Sequence, residues 1–347
     1  MRITFLCPHV RIAGGVRAIL TYADRLASLG HAVTALVPAK RPLKTLWRNL
    51  AGARPDWMPG FRPRVVWTTR WHPPRVPEGD VVVATAWQSA GVAAAAPASC
   101  GAKFYLVQHY ESLYHGAAAE VDATYRLPLA KIVISTWLRD IMRDRFGEPA
   151  ELLVTPVDPA LFSPDGAPDP NRVLMLHHAY AWKGVADGLD AVARVRARHP
   201  GVRLVGFGLK PPPAALRYDE FHVDPPQHSL RRLYSACGIF LCPSWDEGLG
   251  MPSMEAMACG AALCTYDNGG CRDYARDGET ALVARRRDVV DLAAKLERLL
   301  TDGPLREKLT AAGAAFIRTE FDWSRAVRRM EQLFENAAAR RASGLSQ

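Results

Sequence analysis

Glu247 and Glu255 stand eight positions apart in the run Ser244-Trp-Asp-Glu-Gly-Leu-Gly-Met-Pro-Ser-Met-Glu-Ala-Met-Ala-Cys-Gly260, with two glycines and a proline between them. The preceding run, Gly238-Ile-Phe-Leu-Cys-Pro243, is apolar and suits a buried strand. After Pro252 the pattern turns helical, and proline is at home in the first turn, where its missing N–H costs nothing. The order is therefore strand, glycine loop, helix start. Free N–H groups and the positive end of the helix dipole converge there on a place where an anion can sit. Glu247 falls on the loop at that place and Glu255 about one turn into the helix. A phosphate flanked by two carboxylates that can accept hydroxyl hydrogen bonds is the chemistry of a sugar nucleotide.

The elements that must position these groups alternate along the whole chain. Ile3 to Cys7 reads as a strand, Val16 to Leu29 as a helix ending at Gly30, and Ala32 to Val37 as the next strand. Further strands are expected at Val81 to Ala84, Phe104 to Gln108 and Lys131 to Ser135, with a short Ala-rich helix over Ala90 to Ala98. A linker follows from Thr155 to Pro170, where five prolines break any long element. The pattern restarts with strands at Val173 to His177, Val202 to Phe207, around Phe221 to Val223, at Ile239 to Cys242, Ala262 to Tyr266 and Ala281 to Val283. Helices are expected over 185–198, 229–236, 288–301, 304–319 and 324–340. Repeated strand–helix alternation argues for parallel sheets wound on both sides, here an α/β chain of two Rossmann-like halves around a proline-rich hinge.

Composition bounds the rest. At 347 residues the chain has room for two ordinary domains, and 49% apolar with 23% charged residues is a globular mixture. No apolar run approaches the ~20 residues of a membrane span. Met1-Arg-Ile-Thr-Phe-Leu-Cys-Pro8 is too soon interrupted for a secretory signal, so a cytoplasmic protein is expected. Seven cysteines, an odd number without a Cys-x-x-Cys pair, indicate neither a disulfide framework nor a zinc site.

The net charge of +9 is unevenly placed: residues 40–75 hold nine Lys or Arg and one acid, Asp56, leaving 35 basic and 34 acidic residues elsewhere. The same segment carries Trp47, Trp57, Met58, Phe61, Trp67 and Trp71. Such a mixture suits an anionic bilayer surface, the wall of an acceptor pocket, or nucleic acid. It equally suits an irregular excursion whose Trp side chains pack inward while Arg stays wet. The near-neutral second half speaks against a nucleic-acid-binding protein.

The Glu247 to Gly260 string resembles the signature of the retaining glycosyltransferases of family 4, which runs Glu, Gly, aromatic or aliphatic, Gly, aliphatic, Pro, two residues, then Glu-Ala-Met-Ala and a small pair. The resemblance implies the two-domain GT-B fold: an acceptor-side domain over 1–160, a nucleotide-sugar domain over 161–323, the two facing across a cleft, and a last helix (324–347) returning to the first domain. It implies that Glu247 with the N–H groups of Gly248, Leu249, Gly250 and Met251 holds the transferred sugar and its phosphates, while Glu255 accepts from the ribose hydroxyls.

Three other pieces fit. Lys183-Gly184 follows the first strand of the second half; relatives carry Gly-Arg, four residues, then Lys-Gly, with both cations on the diphosphate. Lys183 matches, whereas the Arg position holds His178. Gly14-Gly15 opens the first helix and is similar to the family's Gly-Gly-Val turn, with Gly14 toward the acceptor and Gly15 toward the donor. His109 ends the strand Lys103 to Gln108, where doubly wound folds bind ligands, and relatives have a His there near the reacting centre. Tyr110 is its acceptor-side neighbour by proximity, with Gln108 and Glu111. Gly206-Phe-Gly208 and Asn268-Gly269-Gly270 resemble loops lining the donor pocket.

No Asp-x-Asp occurs in the sequence, so no metal clamp on a diphosphate is expected and no metal site is assigned. The resulting expectation is a retaining, metal-independent glycosyltransferase without a cofactor. It would move a sugar from a nucleotide-diphosphate donor to a glycan, lipid-linked or small-molecule acceptor, as in polysaccharide, glycolipid or natural-product synthesis. Peripheral contact with the inner membrane face through 40–75 is part of it, and nucleic acid is not. The alternative is a non-catalytic GT-B protein that binds a sugar nucleotide or a partner, supported by the missing Arg at position 178.

Overall fold

A computed structural model describes residues 1–39 and 41–343. Lys40 and residues 344–347, at the edges of the basic segment and of the last expected helix, lie outside the described residues. The chain divides into two compact units, one made of Met1–Thr155 with Ser324–Gln347 and the other of Pro156–Trp323.

The first unit is built from β1 (Arg2–Leu6), α1 (Gly14–Ser28), β2 (Ala32–Pro38), α2 (Pro42–Leu50), β3 (Arg64–Thr68), β4 (Val81–Ala84), α3 (Trp87–Ala95), β5 (Ala102–Val107), α4 (Ala118–Tyr125), β6 (Ala130–Val133), α5 (Thr136–Ile141) and β7 (Ala150–Leu152). Its seven strands lie in the order β3-β2-β1-β4-β5-β6-β7, every neighbouring pair parallel. Central strands of such a sheet are covered on both faces, so they read as unbroken apolar runs. Val81 to Ala84 is the plain case, with all four residues buried. α1 lays Val16, Ile19, Leu20, Ala23 and Leu26 inward at helical spacing.

The second unit comprises β8 (Asp169–Leu176), α6 (Val185–Arg196), β9 (Arg203–Gly208), β10 (Glu220–Val223), α7 (Gln227–Ala236), β11 (Cys237–Cys242), α8 (Met251–Ala258), β12 (Ala262–Tyr266), β13 (Leu282–Ala284), α9 (Val289–Thr301) and α10 (Gly303–Glu320). The strand order is β10-β9-β8-β11-β12-β13, again all parallel. Its core joins Val173, Met175, Ile239, Leu241 and Cys264 of the sheet to Val192, Val195, Leu292 and Leu296 of the covering helices. Asp288 and Asp302 cap α9 and α10 by accepting backbone N–H groups, which explains why those helices start where they do.

The last helix, α11 (Trp323–Ala342), belongs to the first unit from Ser324 onward. Its Phe334 is fully buried against Phe104 at 4.8 Å, Arg341 donates to the carbonyls of Ala98 and Gly101, and Glu331 pairs with His31 at 2.7 Å.

Residues 41–75, which the sequence leaves open between a bilayer surface, an acceptor-pocket wall, nucleic acid and an irregular excursion, hold α2 and the edge strand β3. Trp67 is buried on that strand, and the indole N–H groups of Trp57, Trp67 and Trp71 donate to the carbonyls of Val10, Ala53 and Leu36. These three Trp side chains serve packing. Trp47 does not share that role, because it stands in solvent on α2.

Candidate active site

In each sheet the strand order reverses once, between β1 and β4 and between β8 and β11. Loops leaving neighbouring strands in opposite directions open a crevice at their C-terminal ends, which is where doubly wound sheets bind ligands. In the second unit that crevice is bounded by the loop after β8, carrying Lys183, and the loop after β11, carrying Glu247.

Three contacts fasten these loops together. The Lys183 ammonium donates to Glu247 Oε1 at 2.6 Å, with the two side chains only 19% and 10% exposed. The Trp245 N–H donates to the Trp182 carbonyl at 2.7 Å. Gly184, at φ +62°, lets the chain pass so close to Pro243 that a Cβ would lie 1.9 Å from its carbonyl oxygen. Glycine at 184 is thus a geometric requirement of bringing the lysine to the glutamate.

The Glu247 loop is braced from its other side. The Glu247 N–H donates to the Asn268 carbonyl at 2.9 Å, and the Gly270 N–H returns to the Glu247 carbonyl at 3.2 Å. The Asn268 side chain accepts from the Cys271 N–H. Asn268-Gly269-Gly270, expected to line the donor pocket, braces the Glu247 loop through these hydrogen bonds. Gly248 and Leu249 then lead to Gly250, the N-cap of α8 at φ +92°, with Pro252 in the first turn. Leu249 is buried, and its backbone packs against Gly270, where an added Cβ would lie 2.7 Å from the Leu249 N.

A pocket opens at this point, lined by Leu176, Lys183, Pro243, Ser244, Glu247, Gly250 and Ser253 among others. It combines one ammonium, one carboxylate, two hydroxyls and a helix N-terminus, a set that can bind phosphate and hydroxyl groups together. Ser253 was not anticipated from sequence; its position two residues into α8, on the same side as Gly250, is the signal that could have found it.

Glu255 lies deeper than expected. It is buried, accepts from the Tyr234 hydroxyl at 3.2 Å, and lies outside the pocket lining. His178 is half-buried and its Nδ1 accepts from the Tyr180 N–H at 3.1 Å. Burial, and then the charge of Lys183, push its pKa below the ordinary imidazole value, with Glu247 pulling the other way. The surroundings of His178 thus favour its neutral form, at the position where the resemblance implies an Arg. Gly206 and Gly208 lie in β9, where added Cβ atoms would strike Tyr218, Phe221 and the His177 carbonyl, so they serve strand packing.

In the first unit, α1 begins at Gly14. A Cβ there would meet nothing, whereas one on Gly15 would lie 3.3 Å from the Gln108 side chain. Gly15 backs onto Gln108 and Gly14 faces open space. His109 follows β5, its ring 6.1 Å from that of Tyr114 and 6.4 Å from that of Trp137. Tyr110, expected on the acceptor side, does not face solvent. It is buried in an aromatic cluster with Tyr125 and Phe146, and its hydroxyl donates to Asp122 at 3.1 Å. Glu111 accepts from the Trp87 N–H and the Tyr105 hydroxyl, and burial raises its pKa to about 7. Among the described residues, no group of three or more His, Cys, Asp or Glu is placed to hold a metal ion.

Two all-parallel Rossmann-like sheets in two units define an α/β protein of the GT-B class. Residues 160–316 match the family model for "Glycosyl transferases group 1". D-inositol 3-phosphate glycosyltransferase of Stackebrandtia nassauensis is 32% identical over 226 residues, which cover 56% of this chain and 51% of that protein. The chain thus spans about half the length of that relative. Among solved structures, sucrose-phosphate synthase of Thermosynechococcus elongatus superposes with a TM-score of 0.78 at 17% identity, over 98% of this chain and 99% of that one. HepE of Anabaena, solved with UDP and glucose, gives 0.74 at 14% identity over 97% and 100%. At such identities the likeness is one of fold.

Proposed function

We propose that this protein is a retaining glycosyltransferase that moves a sugar from a nucleotide-diphosphate donor to a hydroxyl acceptor. The observation that carries the reading is the Lys183–Glu247 pair beside the N-terminus of α8 in the β8/β11 crevice. Without ligand, the lysine is neutralised by the glutamate. A bound diphosphate gives the ammonium a second anionic partner, and Lys183 then stabilises the negative charge that builds on the departing phosphate. Glu247 is left to accept hydrogen bonds from the hydroxyls of the transferred sugar. The backbone of Gly248 to Met251 and the positive end of α8 face the phosphates.

Glu255, one turn along α8, belongs to the ribose; reaching it requires the Tyr234 side chain or the ribose itself to adjust, since the carboxylate is buried. The Gly14 and His109 loops are assigned to the acceptor. Phosphate charge is met by Lys183 and backbone dipoles, so turnover proceeds without an essential metal. Attack on the same face as the departing diphosphate gives retention. Seven buried thiols without a disulfide suit a reducing compartment, in keeping with a cytoplasmic enzyme.

The test is a thermal-shift screen against UDP, GDP, dTDP, ADP and their common sugars, with Glu255→Ala as control, followed by donor hydrolysis with and without chelator. UDP comes first because HepE was solved with it. One nucleotide that stabilises the native chain and not the variant supports the reading. No shift from any of them at millimolar concentration overturns it.

A further inference from the structure

Helix α2 is built upside down. Leu43, Leu46, Trp47 and Leu50 are 74, 56, 69 and 71% exposed. Their spacing of three, four and seven residues puts all four on one face, within an arc of roughly 100° at 3.6 residues per turn. The opposite face is the one that meets the sheet. There the Asn49 side-chain amide donates to the Trp67 carbonyl at 2.9 Å and accepts from the Trp67 N–H at 2.8 Å. The Arg48 guanidinium sits over the same Trp67 ring at 4.0 Å. A surface helix ordinarily buries its apolar stripe and wets its polar side. Here a polar side chain pair fixes α2 to edge strand β3, and the fixing itself aims the apolar stripe at solvent.

The charge around the stripe selects what covers it. α2 carries no acid, and exposed Arg41 and Lys44 stand at its start. Exposed Arg54, Arg64, Arg70 and Arg75 belong to the same segment, in which Asp56 is the one acid. A second copy of the chain meeting this face about a twofold axis would set Arg41 and Lys44 against themselves, with no acid on the helix to answer them. An anionic bilayer answers both features at once. Its headgroups supply the negative charge, and the headgroup–acyl boundary accepts Leu side chains and an indole ring.

We propose that α2 is a membrane-docking helix that lies in the surface of an anionic bilayer, with Leu43, Leu46, Trp47 and Leu50 in the acyl boundary and Arg41 and Lys44 at the phosphate level. The proposal stands on this helix alone and does not depend on the transferase reading.

The test is co-sedimentation of the full chain with vesicles of phosphatidylcholine alone and of equal parts phosphatidylcholine and phosphatidylglycerol. It is run beside sedimentation velocity without lipid. Binding to the anionic vesicles is expected to exceed that to the neutral ones and to weaken as salt is raised. Lys44→Ala should lower it about fivefold, the share of one cation near the surface. Leu46→Ser/Trp47→Ser/Leu50→Ser should lower it tenfold or more while thermal unfolding stays unchanged, because all three side chains are exposed. No binding by the native chain overturns the proposal, as does binding that survives the triple substitution. A dimer in solution that the triple substitution dissolves, without vesicle binding, would instead assign the face to a second copy.

Discussion

Lys183→Met separates what the lysine does for the fold from what it does for a ligand. Its ammonium lies 2.6 Å from Glu247, whose side chain is 10% exposed. Substitution leaves that carboxylate largely desolvated and without its cation. Breaking a fully buried pair costs about 3–5 kcal/mol. Lys183 is a fifth exposed and water can reach the gap, so about 1–3 kcal/mol is expected, in the range for one unsatisfied buried group. Adding Glu247→Gln removes the stranded charge and should restore most of that loss. Nucleotide affinity behaves differently. A charged hydrogen bond to phosphate contributes about 1.5–3 kcal/mol, so Lys183→Met should weaken nucleoside diphosphate binding by roughly ten- to a hundredfold. The double substitution should not recover it. Urea unfolding gives the first quantity and titration calorimetry the second. Strictly additive destabilisation in the double variant would refute the coupling, and unchanged nucleotide affinity in Lys183→Met would refute the phosphate role.

Other expectations follow from the same geometry. Glu111, with its pKa raised to about 7 by burial, should make stability fall with pH. Its neutral form is the one the fold favours. That contribution is complete below about pH 4.5, the value in the unfolded chain, and is lost as pH rises through about 7. It should amount to about 3 kcal/mol, and Glu111→Gln should flatten unfolding curves measured between pH 5 and 8; parallel slopes would count against it. Gly184→Ala should cost about 2–5 kcal/mol, combining left-handed backbone strain with the clash at the Pro243 carbonyl. Gly14→Ala, where a Cβ meets nothing, should keep or slightly raise the melting temperature and lower only turnover.

What could be read from sequence followed from local pattern. Val81 to Ala84 and Ile239 to Cys242 announce central strands because burial on both faces leaves no polar position in them. The Glu247 to Glu255 loop and its helix are local too, since glycine, proline and carboxylate lie within nine residues. The pairing of Lys183 with Glu247 spans 64 residues and depends on β8 lying beside β11, a strand order that no local pattern encodes. Tyr110 was misplaced for a similar reason. Its neighbour His109 suggested a shared role, while its real partners, Asp122, Tyr125 and Phe146, come from later in the chain. α2 carries a helical stripe in its sequence, but nine residues with no core to face leave a bilayer surface, an acceptor wall and an irregular excursion equally open.

The return of α11 to the first unit has a consequence for how the protein is made. Phe334 fills the place against Phe104, so the first 155 residues emerge from the ribosome with a hole where that ring belongs. At roughly 5–20 residues per second, the missing helix is complete about ten to forty seconds later. The second unit is contiguous in the chain and can close its core in that interval. Biogenesis thus runs against chain order, with the later-made unit finished first and the earlier one held open until α11 is made. A chain stopped before α11 would keep its Lys183–Glu247 pair and still be a substrate for quality control.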